Sequence, residues 1–182
     1  FLWRETKEKK YRSYYFKGLK LIENRVHKLI IDDGGFSQYS VVYHRMVLDL
    51  LTVLEIFRQK WEMDSFSQSF YTKVKLAIQW YSAIIDPISG DAPNMGGNDG
   101  TYLFNFDQKE YRDFRPTLSF ASSVFKVPIE ENLKTSHCLL ETFNISPVYL
   151  KEETQNNQFN TKSSHIKLVR KNGMAIMRIP NY

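Results

Sequence analysis

The sequence predicts a mainly helical protein with a β region at its C-terminal end. Two observations carry that prediction. Apolar residues recur at steps of three and four along successive segments up to about residue 145, the spacing of one helix face. After Pro147 the pattern changes to an alternation of polar and apolar residues on either side of Lys171-Asn172-Gly173, the period of a strand and the commonest chemistry of a tight hairpin turn. With 182 residues the chain is long enough for one sizeable core.

The first helix is predicted over 3–31, with Tyr15, Leu19, Ile22, Val26 and Leu29 on one face. Asp32-Asp33-Gly34-Gly35 ends it, because glycine accepts the backbone conformation of a helix stop. Ser40 is the expected N-cap of the next helix, about 41–60. That helix is apolar nearly all round and is expected to pack between neighbours. A third helix is predicted over 70–85, with Val74, Ile78, Tyr81 and Ile85 on one stripe. A loop follows over 86–106, rich in Gly, Asn, Asp and Pro; a loop this long inside a helical domain is uncommon and often functional. Residues 111–125 hold another helix, interrupted or started near Pro116, and 132–143 a last short one.

The domain organisation expected is a helical portion over 1–147, a polar linker over 148–162, and the first hairpin of a β domain over 163–182. The chain opens on Phe1-Leu2-Trp3 and closes on Asn181-Tyr182, so it is expected to be part of a longer protein. No internal repeat of fixed period is present. No run approaches the roughly 20 apolar residues of a membrane span, and no signal peptide is visible. The single cysteine, Cys138 in Cys138-Leu139-Leu140, rules out an internal disulfide and is expected to be a small core residue. The formal charge is +5, much of it in the first helix: Arg4, Lys7, Lys9, Lys10, Arg12, Lys17, Lys20, Arg25 and Lys28, with Glu5, Glu8 and Glu23 between them. Such a run is usually a solvated face; it is compatible with an anionic glycan or nucleic acid and decides neither. The aromatic content of 15% supplies core volume first and secondarily suits a polymer-binding cleft.

Three strings carry candidate chemistry. Tyr43 and His44 fall in the first turn of the second helix, where unpaired N–H groups favour a nearby anion. A tyrosine titrates near pH 10, so it is a poor base at neutral pH without such help. An adjacent Tyr-His pair can equally be packed and hydrogen-bonded with no chemical role. In Pro93-Asn94-Met95-Gly96-Gly97-Asn98-Asp99-Gly100, Asn94, Asn98 and Asp99 are short polar groups on a backbone free to approach a ligand. The competing reading is a set of turns in which these side chains bond their own backbone. The loop is neither a P-loop, lacking Gly-Lys-Ser/Thr, nor an EF-hand. In Tyr111-Arg112-Asp113-Phe114-Arg115-Pro116, Arg112 and Arg115 can bind a carboxylate in bidentate fashion or form a structural ion pair with Asp113. His27, His137 and His165 are isolated, so no metal site and no cofactor are expected.

The string from Asp33 to His44 resembles the heparinase II/III family of polysaccharide lyases, whose motif has the form Asp-Gly, an acidic or amide residue, Ser, then Tyr-His. Asp33, Gly34, Gln38, Ser40, Tyr43 and His44 stand at the matching spacing, with Gln38 where the family often has Glu. The loop Pro93…Gly…Asp99 and the string 111–116 extend the resemblance, the latter towards the exopolysaccharide-cluster branch, over about residues 20–125. The resemblance implies part of an α/α toroid, an incomplete barrel of helical hairpins, followed by the start of an antiparallel β-sandwich. It implies β-elimination on a uronic-acid-containing polysaccharide, with Tyr43 and His44 catalytic. Gln38, Asn94, Asn98, Asp99, Arg112 and Arg115 would then bind substrate, in a periplasmic or secreted protein whose further catalytic residues lie outside this stretch. The alternative is a non-catalytic glycan-binding or exopolysaccharide-assembly protein of the same fold. A nucleic-acid partner is not expected, since no helix-turn-helix, RNP or zinc motif is present.

Overall fold

The computed structural model describes residues 2–104, 109–133, 135, 143–146, 165–169 and 174–178. These are mainly helical. Helix α1 spans Leu2–Thr6, α2 Lys9–Leu29, α3 Val41–Lys60, α4 Gln68–Ile84 and α5 Arg115–Phe125, followed by a 3-10 turn at Glu131–Leu133. Strands β1 (His165–Val169) and β2 (Met174–Arg178) pair antiparallel, with Leu168 opposite Ala175. No helix among the described residues is long and apolar enough to cross a membrane.

The core is built where α3 and α4 meet α5 and α2. Val26 of α2, Leu48 and Leu51 of α3, Phe70, Val74, Ile78 and Tyr81 of α4, and Leu118 and Ala121 of α5 form one buried cluster. Burying a side chain such as Phe70 or Ile78 is worth about 1.5–3 kcal/mol before the entropy of ordering it is counted. The stripe expected in the third helix, Val74, Ile78, Tyr81 and Ile85, is buried throughout. That helix begins two residues earlier than the stripe implies, because Ser67 caps it by accepting from the Phe70 N–H at 3.3 Å.

The first predicted helix is two. Thr6 donates its hydroxyl to the Leu2 carbonyl and accepts from the Glu8 N–H, and Lys7 takes a left-handed conformation with φ 57°. Local bonds of this kind compete with helix continuation. The break turns α1 back onto α2, and the Trp3 ring comes to rest 5.1 Å from Tyr15 and 5.6 Å from Phe16. At its other end α2 stops where Ile30 leaves the helix to bridge Phe36. Gly34 has φ 96°, and a Cβ there would collide with the Leu76 backbone, so only glycine fits the crossing.

Helix α3 begins and ends where expected, but its buried side is only partly apolar. His44, Arg45, Asp49, Thr52 and Glu55 are all buried on it, while Leu50 and Phe57 are exposed. The short helix expected over 132–143 falls mostly outside the described residues, which show only the turn Glu131–Leu133. Cys138, the linker 148–162 and the hairpin turn 171–173 also lie outside them.

Candidate functional site

The site is assembled where the loop after α4 folds over the first turn of α3. Ser40 anchors it. Its hydroxyl accepts from the Tyr43 N–H at 3.1 Å, capping α3, and donates to the Gly97 carbonyl at 2.6 Å. The Val41 N–H reaches the Met95 carbonyl at 3.3 Å. Gly96 adopts φ 69° with its Cα against Tyr39 and Ser40, and Gly97 lies so close to the Tyr43 ring that a Cβ would sit 3.3 Å from it. The glycines let the loop backbone lie flat on the helix end.

This docking brings Tyr43, Asn94, Asn98, Asp99 and Tyr111 onto one surface. The half-buried Tyr43 donates its hydroxyl to Asp99 Oδ2 at 2.9 Å. Tyr111 donates to Asn98 Oδ1 at 2.6 Å, and Asn98 Nδ2 donates to Asn94 Oδ1 at 2.8 Å. Asp99 also receives the hydroxyl and N–H of Thr101 at 2.5 and 3.0 Å. These bonds from Thr101, with that from Tyr43, hold the Asp99 carboxyl below its ordinary range. The Tyr43 phenol is pushed up, first by its hydrogen bond to Asp99 and then by that carboxylate's charge. At neutral pH the pair is therefore a phenol beside a carboxylate: a proton donor next to an anion.

His44 stands one residue from Tyr43 but a quarter turn away, inside the core. Its ring lies stacked between Trp80 and Tyr81, 4.9 and 4.8 Å from their centroids, and is wholly buried. Nε2 is 3.1 Å from the Ala77 carbonyl, which can only accept, so Nε2 carries the proton and Nδ1 is the bare nitrogen. Nδ1 has no partner among the described residues, and burial pulls the imidazole down to about 3. Gln38 is exposed on the loop before Ser40.

Arg112 and Arg115 belong to a separate set of bonds at the start of the loop. Arg112 Nη2 meets Asp91 Oδ1 and the Ala92 carbonyl, each at 2.5 Å. Arg115 forks onto Asp113, Nε to Oδ1 at 2.9 Å and Nη2 to Oδ2 at 2.7 Å, and reaches the Pro87 and Ile88 carbonyls with Nη1. Asp113 bonding raises the Arg115 guanidinium further above its already high value. Arg115 thus makes the structural pair with Asp113 considered for that string, whereas Arg112 pairs with Asp91, outside it.

Arg45 supports the surface from beneath, and sequence reasoning did not select it. It is buried, donates to the Tyr111 carbonyl at 2.6 Å and the Thr101 carbonyl at 3.0 Å, and lies against three rings: Tyr102 at 4.4 Å, Tyr111 at 4.6 Å and Phe114 at 4.9 Å. Cation–π contact of a desolvated guanidinium reaches about 2 kcal/mol. One turn on, the buried Asp49 accepts from Thr117 Oγ1 at 2.7 Å, and burial raises its carboxyl to about 7. The available signal was an arginine and an aspartate four residues apart in the mostly apolar first half of a helix. Among the described residues no group of three or more His, Cys, Asp or Glu could hold a metal ion.

Comparison with known protein families, curated proteins and solved structures gives no match for this chain.

Proposed function

We propose that the protein acts on an acidic polysaccharide by β-elimination, with Tyr43 as the proton donor. The observation that carries this is the Tyr43 hydroxyl: accessible at the site surface, kept protonated by Asp99, and fixed at a helix end by a docked loop. In the elimination a base takes the proton at C5 of a uronate, the C4–oxygen bond breaks, and a phenol protonates the departing oxygen. A tyrosine held above its ordinary pKa keeps its proton at neutral pH and is a poor base; to donate, its hydroxyl turns from Asp99 to the departing oxygen. Asn94, Asn98 and Tyr111 line the same surface and offer hydrogen bonds to sugar hydroxyls. The resemblance of Asp33, Gly34, Gln38, Ser40, Tyr43 and His44 to the heparinase II/III motif, with its implied α/α toroid and β-sandwich, points the same way. Placed in the core, His44 serves by packing the helix that presents Tyr43.

A second reading, glycan binding without turnover, draws on a different observation. A uronate must have its carboxylate neutralised before its C5 proton becomes acidic enough to leave. Arg112 and Arg115 are both engaged with aspartates, and His44 is buried and neutral. The two readings part on one assay, the ultraviolet absorbance of the unsaturated uronate formed from linear uronate polymers. The lyase reading expects product, and a Tyr43→Phe variant that still binds polymer while kcat falls about 10²–10⁴-fold. Unchanged kcat in that variant rules out the role, and a wild type that forms no unsaturated product on any uronate polymer leaves the binding reading.

A further inference from the structure

The charge of this chain is not spread evenly. Residues 5–28 hold eight Lys or Arg against three Glu, which equals the whole formal +5; the rest of the chain balances. Much of that excess lies on one line. Lys10, Ser13, Lys17, Lys20, Asn24 and Lys28 follow one another along α2 at steps of three and four, and all six are exposed. At 1.5 Å per residue the line is about 27 Å long and nearly straight. Lys10 pairs with Glu8 at 2.8 Å, whereas Lys17, Lys20 and Lys28 have no ion pair among the described residues. Tyr14 and Leu21 flank the line, 72% and 55% exposed. Its C-terminal end lies beside a groove of about 430 Å³ between α2 and α4, with His27, Asp32, Ser69, Thr72, Lys73 and Leu76 on its walls. His27 follows Lys20 by seven residues, so the groove opens on the same side of α2.

We propose that this face of α2 is a binding track for an extended acidic polysaccharide, separate from the Tyr43 surface; the choice of polymer rests on the function proposed above. Three features favour a linear glycan. The lysines form a straight row, which an extended chain can follow and the winding phosphates of a duplex leave after a few contacts. The main apolar side of α2 is already used: Val26 is buried, and Leu19 and Ile22 pack on the core, which leaves Tyr14, Phe16 and Leu21 exposed, short of the continuous apolar face a helix seated in a bilayer presents. The groove at the end of the row mixes the Leu76 and Thr72 carbons with hydroxyl and imidazole groups and with Lys73, whose ammonium is held by Asp32 at 3.1 Å and the Ile30 carbonyl at 2.9 Å, a mixed lining that suits a neutral sugar ring better than a bare phosphate. Lysine on a flexible stem adds attraction without fixed geometry, as a surface that lets a polymer slide requires.

The test compares two variants of equal charge. K10Q/K17Q/K20Q/K28Q removes the row, and K60Q/K75Q/K109Q/K126Q removes four exposed lysines elsewhere. Binding of polygalacturonate is measured by titration calorimetry at low and moderate salt, beside a 20-base-pair DNA duplex and phosphatidylglycerol vesicles, with circular dichroism confirming the fold. The expected result is that the row variant binds polygalacturonate roughly tenfold more weakly, the sum of four modest surface pairs, and that added salt narrows the difference. The control variant is expected to bind as the wild type does. Equal weakening in both variants, no effect in either, or wild-type binding confined to the duplex or the vesicles overturns the proposal. Failure of the Tyr43 role shows instead in the product assay, so either idea can fall while the other stands.

Discussion

The Arg45 guanidinium donates to the Tyr111 carbonyl at 2.6 Å while lying 4.6 Å from the centre of the same residue's ring. One buried cation thus grips Tyr111 by backbone and side chain at once, and the hydroxyl of that ring holds Asn98. Arg45→Met keeps the stem and loses both bonds, leaving the Tyr111 and Thr101 carbonyls unpaired. Each unpaired buried acceptor costs about 1–3 kcal/mol. A loss of about 2–4 kcal/mol in urea denaturation is expected, with hydrogen exchange accelerated at 98–101 and 109–113. Undiminished protection of those amides would show that the loop is held by something else.

Ser40 joins the same two pieces from above. Ser40→Ala removes the cap of α3 and the bond to the Gly97 carbonyl together. The expected loss is about 1–2 kcal/mol, larger than for Ser67→Ala, because Ser40 is buried whereas Ser67 caps α4 in the open, where water can replace its bonds. Equilibrium unfolding of the two variants checks the order.

The Tyr43–Asp99 bond predicts a titration. Asp99→Asn removes both the acceptor charge and its preference for the protonated phenol, so Tyr43 should ionise at lower pH than in the wild type. Carbon NMR of labelled tyrosine, with Tyr43→Phe to assign the signal, follows it. An unmoved Tyr43 would mean the bond is not formed in solution.

What could be foreseen follows from how local each signal is. Ser40 ahead of an apolar run marks a helix start within four residues, and the stripe Val74, Ile78, Tyr81, Ile85 marks a buried face. Both needed only short-range pattern. The break at Lys7 has no glycine or proline to announce it; it depends on Thr6 bonding its neighbours while Trp3 packs on Tyr15. The place of His44 was not legible either, since an imidazole at a helix start reads the same whether it meets solvent or slots between Trp80 and Tyr81. Arg112 and Arg115 show the converse: the string 111–116 announces an ion pair, but Asp91, some twenty residues away, is the partner that engages Arg112.

His44 and Asp49, both buried on α3, predict opposed effects of pH on stability. The folded imidazole titrates at about 3 against an ordinary 6.5. Between those values the unfolded chain binds the extra proton, so this group makes stability rise with pH up to about 6.5. Asp49 titrates at about 7 when folded against an ordinary 3.8. There the folded chain holds the extra proton, so stability falls as pH rises from about 4 to about 7. Each contribution is on the order of 4 kcal/mol, and over pH 4–6.5 they nearly cancel. Asp49→Asn removes the second and leaves the first unopposed: the variant should gain stability relative to wild type as pH is raised from 4 to 7. His44→Phe keeps a ring between Trp80 and Tyr81 and removes the first, so its stability should fall over the same range. Urea midpoints at pH 4, 5.5 and 7 decide the matter, and parallel profiles for wild type and both variants would show that neither group keeps its buried protonation state in solution.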